Sequence, residues 1–247
     1  MSKELLHGND EVVTGAEIVS LQADEEQLTG AAPIFPSERY RALSAKHLDE
    51  ISQLEKLSVD DRFAMKVVAN VLPFRSNRYV IDRLIDWERV PDDPVYQMTF
   101  PQRGMLEEGD FSQIADLIRR DASASEIKET VYEIREKLNP HPAGQRELNI
   151  PQVDHETLNG LQHKYRETVL FFPSQGQTCH AYCTFCFRWA QFVGDNTLKI
   201  VAKEADGLHS YLAAHTDVTD VLVTGGDPMI MKTSVFAHYL EPFVEDS

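Results

Sequence analysis

Three cysteines, Cys179, Cys183 and Cys186, fall within eight consecutive positions, and they are the only cysteines among 247 residues. An odd, clustered set argues against a disulfide framework and for metal or redox chemistry. Thiolates hold iron–sulfur clusters, and a four-iron cluster ordinarily takes four of them. Three leave one iron open to a chelating ligand. The competing readings of the triplet are buried structural thiols, or a zinc site completed by His180 or by a distant histidine.

A second candidate lies at Thr224-Gly-Gly-Asp-Pro228. Paired glycines permit unusual backbone conformations and let a ligand approach main-chain groups, although most such strings are only turns.

The elements that position these segments change character along the chain. Residues 1–36 carry seven acidic residues against one basic, Lys3, and read as a mobile tail with a local helix around 18–28. Residues 37–150 read as a helical N-terminal domain, with helices over about 37–56, 59–71, 76–87 and 110–120 separated by Pro-containing turns rather than strands. Val90-Pro-Asp-Asp-Pro94 reads as an extended connector. Ser123 and Glu126 form a capping-box signature ahead of Ile127, Val131, Ile134 and Leu138 on one helical face.

From residue 151 the rhythm becomes α/β. Thr168–Phe172 and Asp220–Thr224 read as strands buried on both faces, each followed by a candidate site and then a helix, over about 203–215 and from near 233. Parallel α/β folds put their chemistry at strand C-terminal ends, where both candidate sites lie.

The C-x3-C-x2-C spacing, with Phe185 before the third cysteine, resembles the radical S-adenosylmethionine (radical-SAM) signature. More narrowly, His163–Phe172, Cys179–Trp189, Val221–Met229 and Pro91–Val95 resemble the lysine 2,3-aminomutase family. The resemblance implies the first βα units of a partial (β/α) barrel and a [4Fe-4S] cluster on Cys179, Cys183 and Cys186. It implies S-adenosylmethionine bound with help from Gly225, Gly226, Asp227 and Phe185. It further implies an amino-acid substrate whose carboxylate pairs with Arg188, pyridoxal phosphate near Tyr165, and reduction by a flavodoxin- or ferredoxin-like protein. In such enzymes a 5'-deoxyadenosyl radical initiates amino-group migration. Two family arginines are replaced here by Lys164 and Thr168, and the histidine often found before the third cysteine is Phe185. The first two changes count against a phosphate site, because arginine offers a fixed fork and lysine a point charge.

A net charge of −16 disfavours nucleic acid and anionic lipid. No apolar run reaches a membrane span, and the start lacks a secretion signal, so the expected location is the cytoplasm. Only about 80 residues follow Thr168, whereas a complete barrel takes about 250. The reading is therefore of a truncated barrel with an unpaired apolar edge, prone to self-association or to pairing with a complementing C-terminal half. A radical enzyme of another reaction class and a non-catalytic interaction protein remain as alternatives.

Overall fold

The structure is a computed structural model that describes residues 40–245 apart from 154 and 204; the expected tail and its local helix lie outside these residues. The chain divides into two units, of which the first is Tyr40–Tyr239. The first holds all of the site residues.

Three helices form one layer of this unit. α1 (Val59–Val71) starts at Ser58, whose side chain accepts from the Asp61 N–H, with Asp60 and Asp61 complementing the positive helix end. It buries Ala64, Val67, Val68 and Val71, at the spacing of one helical face. α3 (Glu108–Arg119) and α4 (Ala124–Lys137) pack on it through Phe111, Ile114, Val131 and Ile134. The Ser123–Glu126 capping box forms in both directions. Arg135 donates to the Asn70 and Val71 carbonyls, satisfying acceptors that the end of α1 leaves open.

The segments flanking α1 are not the regular helices expected. Of the expected helix over 37–56, the described part from residue 40 gives strand β1 (Ala42–Ser44) and two 3-10 turns, Ala45–Glu50 and Ser52–Lys56. Residues 76–87 give strand β2 (Arg75–Asn77) and a π turn, Val80–Leu84. β1 and β2 pair antiparallel, and that long-range pairing overrides local helical pattern. With the short α2 (Pro94–Thr99), capped by Asp93, these pieces enclose a second core of Leu43, Ile51, Met65, Ile81, Tyr96 and Phe100. Ala181, between the first two cysteines, packs against that core.

The α/β part opens with a two-stranded ribbon, β3 (Gln152–Val153) and β4 (Glu156–Thr157). A three-stranded sheet follows in the order β5 (Leu161–Tyr165), β6 (Thr168–Phe171), β7 (Asp220–Val223). β5 and β6 form an antiparallel hairpin, whereas β6 and β7 are parallel. The crossover between β6 and β7 carries the cysteine loop and α5 (Asp206–Ala214); α6 (Thr233–Glu245) follows β7. The predicted βαβα order therefore stands within a mixed sheet, and no closed barrel forms among the described residues.

Burial on both faces does not hold for either strand. In β6 Val169 and Phe171 are buried while Thr168 and Leu170 are only half covered, and β7 runs alternately exposed and half-buried, with Leu222 52% exposed. β7 pairs on one side only among the described residues, so its apolar run does not lie in a sheet interior.

Candidate functional site

The cysteine loop has almost no repeating backbone structure, so its shape depends on bonds to other segments. The helical part supplies them. Tyr182 N–H donates to the Arg75 carbonyl (2.8 Å) and Thr184 N–H to that of Met98 (2.8 Å). The Thr184 hydroxyl donates to the Gln97 carbonyl (2.9 Å), and the His180 carbonyl accepts from Tyr40 Oη and Asn77 Nδ2, each at 3.1 Å. Stacking of Tyr182 on Phe192, with ring centroids 4.5 Å apart, closes the loop on itself.

Within this frame Cys179 and Cys186 are half-buried, Cys183 is exposed, and all three are free thiols. Burial pushes the Cys179 thiol up to about 11, reinforced by Cys186, Asp227 and Cys183. Burial likewise raises Cys186, against the pull of a hydrogen bond from the Arg188 backbone. No group of three His, Cys, Asp or Glu side chains among the described residues is arranged around a single metal ion. A cluster spreads its thiolates over several irons, so three soft donors on one loop suit it without meeting at one point.

The glycine turn clasps the start of this loop. Gly226 N–H donates to the Gly176 carbonyl (3.1 Å) and Asp227 N–H to that of Thr178 (2.8 Å). A methyl group at Gly226 would lie 2.1 Å from the Thr178 oxygen, and one at Gly225, where φ is +129°, 2.1 Å from Gln177 Nε2. The space beside both glycines is thus filled by residues 177 and 178. The missing side chains thus let another stretch of this chain approach the turn closely. Asp227 caps the turn after it, its Oδ1 accepting from Met229 N–H (3.0 Å), while Oδ2 lies 3.4 Å from His180 Nδ1.

Arg188 donates from Nη1 to the Thr224 hydroxyl (2.5 Å), and its guanidinium lies 5.4 Å from the ring of Phe172 and 5.0 Å from that of Phe187. It borders a cleft of about 270 Å³ whose wall includes Lys164, Tyr165, His141 and Gln191 and contains no acidic residue. Burial, followed by the charge of Arg146, holds His141 below the usual imidazole range. Tyr165 is 61% exposed, with the Lys164 ammonium 5.7 Å from its ring. It is therefore not a core packing residue. Phe185 is 73% exposed, and Cys183 and Cys186 line a separate crevice of about 150 Å³ with Leu72, Met105 and Trp189. The structure thus joins Gly225, Gly226 and Asp227 to the start of the cysteine loop. It bonds Arg188 to Thr224, directly before that turn, and sets it in one cleft wall with Lys164 and Tyr165.

Comparison with known proteins finds similar ones. Over 200 residues, 81% of this chain, it is 27% identical to a protein of Aquifex aeolicus named putative L-lysine 2,3-aminomutase. Its homologues are proteins named lysine 2,3-aminomutase. A Bacillus subtilis L-lysine 2,3-aminomutase is 20% identical over 198 residues, 80% of the chain, and one from Haemophilus influenzae is 33% identical over 72 residues, 29% of it. The chain spans 42%, 34% and 20% of those aminomutases' lengths, respectively. No protein-family model and no solved structure matches the chain. No described helix is long and apolar enough to cross a membrane. Resemblance to the aminomutases had been legible in the motifs; the residues that hold the loop, Tyr40, Arg75, Asn77 and Met98, carried no signal because they sit about 80 to 140 positions away from it.

Proposed function

We propose that this chain carries the cluster and S-adenosylmethionine site of a radical-SAM enzyme of the aminomutase kind, acting on an amino acid. The observation that carries the reading is the joining of two motifs: the loop bearing all three cysteines is bonded at Thr178 to the Gly225-Gly226-Asp227 turn. Cys179, Cys183 and Cys186 would hold a [4Fe-4S] cluster with one iron open, and Asp227 retains an exposed carboxylate able to accept from an ammonium group. A reduced cluster held there would supply the single electron that cleaves the sulfonium of S-adenosylmethionine, the source of the radical chemistry of such enzymes.

Arg188 uses Nη1 on Thr224 and is held between aromatic faces, which orients its remaining N–H groups for a carboxylate. Lys164 and Thr168 offer a point charge and a hydroxyl where the family has arginines, and Lys164 is exposed. These residues do not fit a phosphate cradle for pyridoxal phosphate. The same observation favours a second reading, a radical-SAM reaction that needs no such cofactor; analysis of products from candidate amino acids separates the two.

The anaerobically reconstituted protein, given dithionite and S-adenosylmethionine, should release methionine and 5'-deoxyadenosine, and Cys183→Ala should abolish both. Equal release by the variant, or none by the parent at full iron loading, contradicts the proposal.

A further inference from the structure

The cleft beside Arg188 is charged against the trend of the chain. The protein carries 40 acidic residues and a net charge of −16, yet the wall of this cleft holds two cations, Arg188 and Lys164, and no carboxylate. Glu136 and Glu147 act on His141 but line none of it. Arg188 is half-buried, and its guanidinium meets the Thr224 hydroxyl and the rings of Phe172 and Phe187 rather than an acid. Lys164 likewise faces a ring, that of Tyr165, at 5.7 Å. A cation drawn partly out of water without a counter-ion is costly, so a ligand that enters here gains by being anionic.

The two cations stand at opposite ends of one strand. Leu170 and, one residue past β6, Phe172 lie two positions apart and share the face that lines the cleft. Arg188 lies against the ring of Phe172, whereas Lys164 sits at the irregularity in β5 between the pairs of His163 with Val169 and of Tyr165 with Thr168. Their places along β6 are thus roughly 10–13 Å apart. Such a separation, closed by two long side chains, suits one ligand with two separated negative groups better than a single compact anion. Gln191, whose Oε1 accepts from the Ile200 N–H (3.1 Å), adds N–H donors to the same wall.

We infer that the cleft selects an amino acid with an acidic side chain, Arg188 receiving the α-carboxylate and Lys164 the side-chain carboxylate. The inference rests on the function proposed above and narrows its substrate class. An amino acid with a side-chain ammonium would meet Lys164 as a like charge with no acid in the wall to receive it. The cleft's volume of about 270 Å³ matches a single small molecule and not a peptide. Lys164 is exposed, which keeps its contribution to that of a solvated ion pair.

The test is anaerobic isothermal titration calorimetry of the reconstituted full chain with L-glutamate, L-glutamine and L-lysine, on wild type, Lys164→Met, Lys164→Glu and Arg188→Ala, with a thermal midpoint for each. Wild type should bind glutamate about two- to fivefold more tightly than the isosteric glutamine, and lysine most weakly. Lys164→Met should bring glutamate down to the level of glutamine and leave glutamine unchanged. Lys164→Glu should put lysine ahead of glutamate, and Arg188→Ala should weaken all three. In high salt the preference for glutamate should shrink. Lysine bound as tightly as glutamate by wild type, a glutamate preference that survives in Lys164→Met, or no binding of any of the three overturns the inference. Equal loss of all three ligands in Lys164→Met reduces Lys164 to a structural residue and contradicts it too. Pyridoxal phosphate bound in a manner that needs both Lys164 and Arg188, with no glutamate preference, assigns the cleft to a phosphate instead. Release of methionine and 5'-deoxyadenosine without a glutamate preference leaves the proposed function standing and removes this inference alone. A Lys164-dependent glutamate preference in protein that forms no cluster keeps the ligand class and refutes the function.

Discussion

Cys179 lies where burial disfavours a thiolate, and Cys186, Asp227 and Cys183 add negative charge that raises its thiol further, to about 11. A thiol raised in this way stays protonated at neutral pH, so metal uptake must displace protons and is favoured as pH rises. In metal-free protein, iodoacetamide followed by peptide mass spectrometry should find exposed Cys183 labelled first. Cys179 labelling should accelerate only as pH climbs toward about 11, and Cys186→Ala should move that onset to lower pH. An onset for Cys179 in the ordinary thiol range, about 8.5, would contradict the burial argument. That the three thiols share one loop was legible because their spacing states it outright. The engagement of His180, Thr178 and Arg188 was not, since each depends on a partner distant in sequence: Tyr40, Asp227 and Thr224.

At the scale of elements, the clasp between the turn after β7 and the cysteine loop is the feature most sensitive to a single atom. Gly226→Ala places its methyl 2.1 Å from a backbone oxygen, which one side chain's rotation cannot relieve. It should cost about 1–3 kcal/mol in denaturant unfolding and raise the alkylation rate of Cys179. Gly104→Ala, which meets nothing within 4 Å, should stay within about 0.5 kcal/mol of wild type. Equal effects would mean that the glycine turn does not hold the loop. In the helical layer, Ser123→Ala removes the acceptor for Glu126 N–H and one half of the capping box. The expected loss is about 1 kcal/mol, seen as a fall of roughly 2–4 °C in melting temperature; an unchanged midpoint would show that α4 is fixed by packing alone. α1 and α4 could be read from sequence because cap, periodicity and breaker agree there. Residues 37–56 and 76–87 could not, because the β1–β2 pairing outweighs a helical pattern. β5 escaped notice because His163, Lys164 and Tyr165 resemble a polar approach to a strand, and its partner β6 supplies the ladder.

Within the unit Tyr40–Tyr239 the cysteine loop is held from both parts: Ala181 packs on the core around Phe100, and the turn after β7 donates to Gly176 and Thr178 at the loop's start. The arrangement explains how a segment without regular structure can present three thiols in a reproducible way. The α/β rhythm was legible from two apolar runs; the mixed sheet and the open outer side of β7 were not, because edge and centre strands share one local pattern. The chain spans 42% or less of the length of the aminomutases with which it was compared above, and the proposed site for making a radical lies within that part. The most direct measurement is anaerobic reconstitution with iron and sulfide, followed by iron analysis and electron paramagnetic resonance of the reduced protein before and after S-adenosylmethionine. The account predicts about four irons per chain, lost on replacing any of Cys179, Cys183 or Cys186, and a resonance that shifts when S-adenosylmethionine is added. A stable protein with all three cysteines that takes up no iron, or whose cluster signal ignores S-adenosylmethionine, would contradict it.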